Sequence, residues 1–352
     1  MEKCKVGIVG CGNISEIYLK NLTVSEVIEV VAVADLQNEL AEKRAAQFQI
    51  PNVHTLDTIL HDEEIELIVN LTPPSAHAEI GLKALHAGKH IYSEKPLGLT
   101  VEEGESLIRT AKERNLRVGC APDTFLGEGI QTVKSLIDQG VIGNPVAVNA
   151  FMLGKGPEKW HPNPEFFYQP GGGPLFDMGP YYLTTMIYLL GDVDRVSASA
   201  GISFKERKIG SGSLKGQKIM VNTPTHIAGT LNFKSGAIGT LVTSFDIQAS
   251  TLPRIEVYGS EGTIVVPDPN RFAGTIRYNQ GDEWEEVRTQ AEETTNLRGV
   301  GVEDLVLSII EGAPHQASGE MGMQVLQVMA GLLEAAKEEK TVSIRKRINS
   351  IV

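Results

Sequence analysis

Cysteine is scarce in this chain, with three among 352 residues: Cys4, Cys11 and Cys120. They show neither the paired spacing of metal ligands nor the even count of a disulfide framework, which points to a reducing, cytoplasmic setting. Long apolar runs are missing too, and none approaches the roughly 18 residues needed to span a bilayer. Met1-Glu2-Lys3 passes straight into a strand pattern, so no secretory leader is expected. Positive charge is the third deficit. Lys and Arg number 32 against 44 Asp and Glu, for a net charge of -12. Nucleic acid, whose binding rests on clustered cations, is therefore not an expected partner. The short basic run Arg345-Lys346-Arg347 reads as a solvated tail.

What the chain has in quantity is glycine, 36 residues, and its first pair carries the most information. A short apolar strand, Val6-Gly7-Ile8-Val9, runs into Gly10-Cys11-Gly12-Asn13-Ile14-Ser15 and then directly into a helical pattern with Ile14, Ile17, Tyr18 and Leu22 on one face. This is the layout of a dinucleotide-binding turn. Gly10 permits the tight turn, Gly12 lets backbone approach a pyrophosphate, and Ser15 stands where a third small residue allows close helix–strand packing. The phosphates would meet the unpaired amides at the helix start. A second strand, Val30 to Ala34, ends at Asp35, close to the expected spacing of about 20 residues. A carboxylate there accepts hydrogen bonds from ribose hydroxyls and repels a 2′-phosphate, which predicts NAD over NADP. Asp35 could instead, or also, cap the following helix.

Strands and helices alternate up to about residue 122. Leu36 to Phe48 reads as a helix, Ile65 to Val69 as a strand, and Ser75 as the cap of the next helix, which ends near Gly88. His90 to Ser93 is a strand, Thr100 and Glu103 form a capping box, and Arg117 to Ala121 is the last strand of the series. Residues 1–122 are thus expected to form a doubly wound parallel sheet of α/β Rossmann type. Beyond a helix at about 129–139 the pattern changes. Extended segments at 145–153, 194–203, 218–233, 237–248 and 254–266 alternate apolar with polar, as half-buried antiparallel strands do. A hairpin over Thr275–Val287 turns at Gln280-Gly281-Asp282, and helices at about 302–312 and 319–339 follow. Residues 123–352 are expected to form an α+β domain with a largely antiparallel open sheet.

Ligands of open α/β sheets bind at the carboxyl ends of the strands. Asn70 to His77 and Ser93-Glu94-Lys95-Pro96 both fall at such ends. Lys95 is either a substrate-polarising group or a surface lysine in a turn. In the second part, Gly171-Gly172-Gly173 precedes a helix expected to run from Leu175 to Leu190, which would place Asp177 and Tyr181 on one face. The alternative is an Asp near a cap beside a core tyrosine. Asp123 and Thr124 follow the last parallel strand, and Trp160, His161 and Tyr168 lie on the loop before the glycines. A Trp and a His can stack on and hydrogen-bond a ring, or His161-Pro162 does no more than shape its loop. His77 reads as a cap or a cofactor contact. His86 and His90 are separated by Gly88, which breaks any helix, so no metal site is expected there.

Taken together, Gly10-Cys11-Gly12-Asn13-Ile14, Thr72-Pro73 with His77, Glu94-Lys95-Pro96, and a glycine loop followed by Asp177-Met178-Gly179 resemble the glucose-fructose oxidoreductase / inositol dehydrogenase (Gfo/Idh/MocA) family over the whole chain. The resemblance implies redox chemistry with a nicotinamide cofactor on a sugar, sugar derivative or cyclitol, and a homodimer or homotetramer formed through the open sheet face. It assigns Thr72, Pro73, His77, Glu94 and Lys95 to the cofactor beside the glycine turn. Lys95 becomes the active-site lysine, with a cis peptide before Pro96, and Asp177 the residue that binds substrate hydroxyls. Many members have a histidine four residues later; here Tyr181 stands instead, as in glucose-fructose oxidoreductase and dihydrodiol dehydrogenases, and a phenol can exchange a proton. Asp123, Thr124, Trp160 and His161 are expected to set substrate specificity. Two other functions fit the same motifs: an NAD(H)-responsive regulatory protein without turnover, and an NAD-dependent glycoside hydrolase.

Overall fold

A run of six short strands opens the computed structural model, which describes residues 3–281 and 283–344. They are β1 (Cys4–Val9), β2 (Ile28–Ala34), β3 (Asn52–His54), β4 (Leu67–Asn70), β5 (His90–Ser93) and β6 (Val118–Cys120). All pair in parallel, in the order β3-β2-β1-β4-β5-β6. Helices α1 (Ser15–Leu22), α2 (Asn38–Phe48), α3 (Leu56–His61), α4 (Pro74–His86) and α5 (Val101–Glu113) connect them. The central strands are covered on both faces, which is why they read as continuous apolar runs: Val6, Ile8, Ala32, Val33, Leu67, Ile68, Val69, Ile91 and Tyr92 are all buried. The strand order reverses between β1 and β4, and a crevice for a ligand opens at such a switch point.

Local chemistry sets the helix limits. At α5 the capping box is complete, with Thr100 Oγ1 accepting from the Glu103 amide at 3.2 Å and the Glu103 carboxylate accepting from the Thr100 amide at 3.3 Å. Such a cap is worth about 1 kcal/mol. At α4 the expected cap, Ser75, falls inside the first turn. The helix starts at Pro74, whose fixed φ and missing N–H suit the first helical position, with Pro73 as the flanking residue. The edge strand β3 has no sequence signal, being three residues long with no buried side chain.

The second part begins with α6 (Glu128–Asp138) and β7 (Pro145–Leu153), then α7 (Gly173–Asp177) and α8 (Gly179–Leu190). Strands β8 (Val193–Gly201), β9 (Glu206–Lys208), β10 (Lys218–Met220), β11 (His226–Phe233), β12 (Ile238–Ser244), β13 (Ile255–Gly259), β14 (Thr263–Val266), β15 (Thr275–Asn279) and β16 (Trp284–Arg288) follow, and then α9 (Val300–Glu311), α10 (Gly319–Glu338) and β17 (Val342–Ser343). Nine strands form one sheet, β16-β15-β14-β13-β7-β12-β11-β8-β17, antiparallel except where β12 runs parallel to β7. Two expected single segments are each divided: 218–233 breaks at Asn222-Thr223-Pro224, and 254–266 turns back as a hairpin at 260–262. One sheet face is sealed by Val148, Ala150, Ile227, Leu231, Leu241 and Val257. The other carries Asn149, Thr230, Thr240, Val242 and Tyr258, and is open. The β15–β16 hairpin forms as expected, although Asp282 of its turn and the basic run Arg345-Lys346-Arg347 lie outside the described residues.

The chain divides into two compact units. Among the described residues, those up to Leu126 join Asn296–Leu326 in the first, and Gly127–Thr295 join 327–344 in the second. The return of 296–326 to the first unit has no compositional mark. It is tied there by Asn21, whose side-chain amide donates to the carbonyls of Asn296 (2.9 Å) and Arg298 (2.8 Å).

Candidate active site

The glycine turn lies at the switch point, between β1 and the loop after β4. Gly10 has φ +100°, and a Cβ there would stand 2.7–2.8 Å from the backbone of Leu71 and Thr72, so only glycine fits. Above Gly12 the space is open, with nothing within 4 Å of where a Cβ would project. Gly12 and Asn13 are exposed, and α1 starts with no side-chain cap. Asp35 closes the other side. Its Oδ2 accepts from the Cys11 amide at 2.7 Å and its Oδ1 from the Gln37 amide at 2.8 Å, and α2 takes Gln37, not Asp35, as its flanking residue. Open space over a glycine, exposed amides at a helix start and a carboxylate at the end of β2 together fit a dinucleotide. Replacing Asp35 with Ser is expected to raise NADPH affinity relative to NADH by about tenfold or more, through loss of charge repulsion and of ribose hydrogen bonds; parallel titrations with the two nucleotides measure it.

At the ends of β4 and β5 the predicted cofactor residues bind one another. Thr72 Oγ1 donates to Asn70 Oδ1 at 2.6 Å, and the Asn70 side-chain amide donates to the His77 carbonyl at 3.2 Å. His77 is buried, with Nδ1 2.7 Å from the Pro96 carbonyl and Nε2 2.8 Å from the Thr72 carbonyl. Each ring nitrogen faces a backbone carbonyl inside the fold, and the neutral ring donates to one of them, so His77 neither caps its helix nor presents a nitrogen to a cofactor; it sits between the Thr72 loop and the Lys95–Pro96 turn. Glu94 is turned inward likewise, its carboxylate accepting from the Tyr18 hydroxyl (2.8 Å) and the Lys95 amide (3.0 Å). Pro73 is exposed, and Thr72 and Lys95 are half-buried. The Lys95–Pro96 peptide is cis. His90 serves the sheet: Nδ1 accepts from the Arg117 amide at 3.0 Å, and burial pulls the ring down to about 4.

Asp123 and Thr124 are also buried rather than presented to a ligand. Asp123 Oδ2 accepts from the amides of Gly299 (2.8 Å) and Gly301 (3.1 Å), and so serves the start of α9, which has no cap of its own. Burial, with a smaller contribution from the Glu94 charge, raises its carboxyl to about 6. The folded protein therefore holds this proton more tightly than the unfolded chain, and the contribution of Asp123 to stability declines as pH rises from about 4 to about 6. The difference is on the order of 3 kcal/mol at full ionisation. Asp123→Asn is expected to remove that decline, gaining on the wild type between pH 4 and pH 7 in urea denaturation.

In the second unit, the expected continuous helix over 175–190 is two helices broken at Met178. Pro180 has no amide to donate to the preceding turn, and with Gly179 it starts α8 afresh. Asp177 is the last residue of α7, half-buried, and Tyr181 lies in the first turn of α8, buried. They keep their four-residue spacing across a break rather than along one helix face. Trp160 is 67% exposed and stands edge-on to His161 at 5.5 Å between ring centroids. His161 in turn packs edge-on against Phe166 and Phe167, and its Nδ1 accepts from the Asn163 amide at 3.2 Å, so it shapes the loop, with Nε2 carrying the ring proton.

Sequence reasoning missed the group that holds this loop. Glu158, Arg207 and Asp246 form a buried charge network: Arg207 Nη1 reaches Glu158 Oε1 at 3.2 Å, and Nη2 binds Asp246 Oδ1. The Tyr168 hydroxyl donates to Glu158, and the guanidinium lies 5.6 Å from the Tyr168 ring centroid and 5.0 Å from that of Phe204. Thr225 Oγ1 donates to Asp246 Oδ2 at 2.8 Å. Phe167, Tyr168, Ile209, Ile219, Val221 and Phe245 pack as a small separate core beside it. The nearest sequence signal is the odd placement of charge in the short β9.

Comparison with known proteins matches residues 4–121 to a family model described as "Oxidoreductase family, NAD-binding Rossmann fold" and residues 130–265 to the "GFO/IDH/MocA C-terminal domain". A myo-inositol 2-dehydrogenase of Thermotoga maritima is 23% identical, covering 98% of this chain and 99% of its own. The scyllo-inositol 2-dehydrogenase (NADP(+)) IolW of Bacillus subtilis is 22% identical over 98% of this chain and 97% of its own. A solved levoglucosan dehydrogenase in complex with NADH has the same fold, with a TM-score of 0.84 at 22% identity over 98% of this chain and 100% of its own.

Proposed function

The chain belongs to the GFO/IDH/MocA oxidoreductase family, and on that premise we propose that it is an NAD-dependent oxidoreductase acting at a hydroxyl-bearing carbon of a sugar, sugar derivative or cyclitol. The observation that carries this reading is the pairing of an NAD-binding first unit, whose glycine turn and Asp35 have the required local geometry, with a second unit matched to the same family. Bound NAD supplies the two-electron acceptor of the oxidation, or the donor of the reduction. The remaining work falls to side chains of this chain. Lys95 serves to polarise a substrate hydroxyl, Tyr181 to exchange a proton and Asp177 to hold a hydroxyl. These roles are supported by the order of the motifs and by the partial exposure of Lys95 and Asp177. Trp160 offers an exposed aromatic face to a ring. The open face of the nine-stranded sheet, half-polar with Val242 and Tyr258 among its residues, suits association of identical subunits into a homodimer or homotetramer. The three buried cysteines suit a cytoplasmic setting, and no helix among the described residues is long and apolar enough to cross a membrane.

The test is absorbance of NADH formed when protein and NAD are mixed with a panel of inositols, aldoses, ketoses and sugar acids. Turnover on a subset is the expected result, and the responding members define the ring geometry accepted. Product formation from glycosides without net NADH would instead make the protein an NAD-dependent glycoside hydrolase. NADH binding with no turnover on either panel would make it a nucleotide-responsive regulator.

A further inference from the structure

Ser15 and Arg44 form a connection that the NAD-binding reading does not use. Ser15 is wholly buried at the start of α1, and its hydroxyl donates to the Gly12 carbonyl at 2.6 Å. Arg44 reaches over from α2 with its guanidinium buried. Its Nε donates to Ser15 Oγ at 3.1 Å and its Nη2 to the same Gly12 carbonyl at 3.3 Å. The Ser15 amide also donates to that carbonyl, at 3.2 Å. One carbonyl oxygen is thus drawn inward by three donors. In a trans peptide the C=O and N–H point in opposite directions, so the Asn13 amide is turned away from Ser15 and Arg44, and Asn13 itself is exposed.

Arg44 has two further partners, of which Gln47 accepts from Nη1 at 2.7 Å. Glu16, in the first turn of α1, accepts from Nη1 at 2.8 Å, and the guanidinium holds its carboxyl below the usual range. An acid in that turn favours an isolated helix through the dipole, but it opposes any anion bound at the same end.

We propose that Arg44 is a positioning residue for the pyrophosphate of the dinucleotide: it fixes the Gly12–Asn13 peptide with its amide outward and neutralises Glu16, the acid of the phosphate-facing turn. The inference rests on NAD binding at this turn, so NADH affinity of the wild type, measured by fluorescence titration, comes first and tests that reading by itself. Given wild-type binding, Arg44→Met is expected to weaken NADH by about tenfold or more, and Arg44→Lys by less, since it keeps the charge but not the fork. The double variant Glu16→Gln/Arg44→Met should recover part of the loss, because removal of the acid cancels the repulsion that Arg44 had masked. A purely structural role gives no such rescue, as both ends of the ion pair are then gone. Arg44→Met binding within about twofold of wild type, or a double variant no better than the single, overturns the proposal. If Arg44→Met does not fold, Arg44→Lys and Ser15→Ala decide: wild-type affinity in both overturns it.

Discussion

Tyr181→Phe is expected to slow the redox step by about 10²- to 10⁴-fold, the range for loss of a positioned proton-transfer group. NADH affinity should stay within about twofold of wild type. The substitution removes one hydroxyl from a side chain that is buried near the start of α8 and leaves its ring to fill the same space. The nucleotide turn lies in the other unit, built from Gly10, Gly12 and Asp35. Single-turnover NADH formation gives the rate of the step, and a fluorescence titration gives the affinity. A Phe variant with the wild-type rate would remove Tyr181 from the proton path and leave Lys95, whose replacement by Ala is the companion measurement.

Residue patterns in the first unit led to the right fold because its elements are local. Each parallel strand except β3 is an apolar run, α4 and α5 carry their own start signals, and Gly10 to Ser15 lies within one strand–turn–helix unit. What is hidden there depends on partners far apart in the chain. Asp123 follows the last parallel strand and so looks placed for a ligand, but it is buried and its Oδ2 accepts from the amides of Gly299 and Gly301, 176 and 178 residues away. His77 looks placed for the cofactor because of its position after β4, and its ring faces two backbone carbonyls inside the fold. Arg44 reads as one of several charges on the outward face of a helix, yet it is buried against Ser15. No periodicity separates these cases, since the group that decides each one, backbone or side chain, belongs to another part of the chain.

The second unit gives a different lesson. The break at Met178 was within reach, because a Gly-Pro pair inside an apolar helical pattern signals a new first turn. The divided strands were marked as well, by Pro224 and by Ser260-Glu261-Gly262. The network around Arg207 had no such mark, and its physics makes it the strongest stability test in the chain.

Arg207→Met is expected to destabilise the second unit by about 3–5 kcal/mol, the usual result of breaking a buried ion pair on one side. Glu158 and Asp246 are almost fully buried, and the guanidinium is their shared counter-charge. Without it two carboxylates remain in a dry setting beside the small core of Phe167, Tyr168 and Phe245. The loss should be larger at pH 8 than at pH 5, because an unpaired buried carboxylate escapes its cost by taking up a proton. Replacing all three, as Glu158→Gln/Arg207→Met/Asp246→Asn, should restore most of the stability, since no buried charge is then left unpaired. Urea denaturation at both pH values, followed by the fluorescence of Trp160 and Trp284, measures these differences. If the single variant matched the wild type at pH 8, the network would contribute no net stability. A triple variant as unstable as the single one would instead place the contribution of Arg207 in its packing on Tyr168 and Phe204.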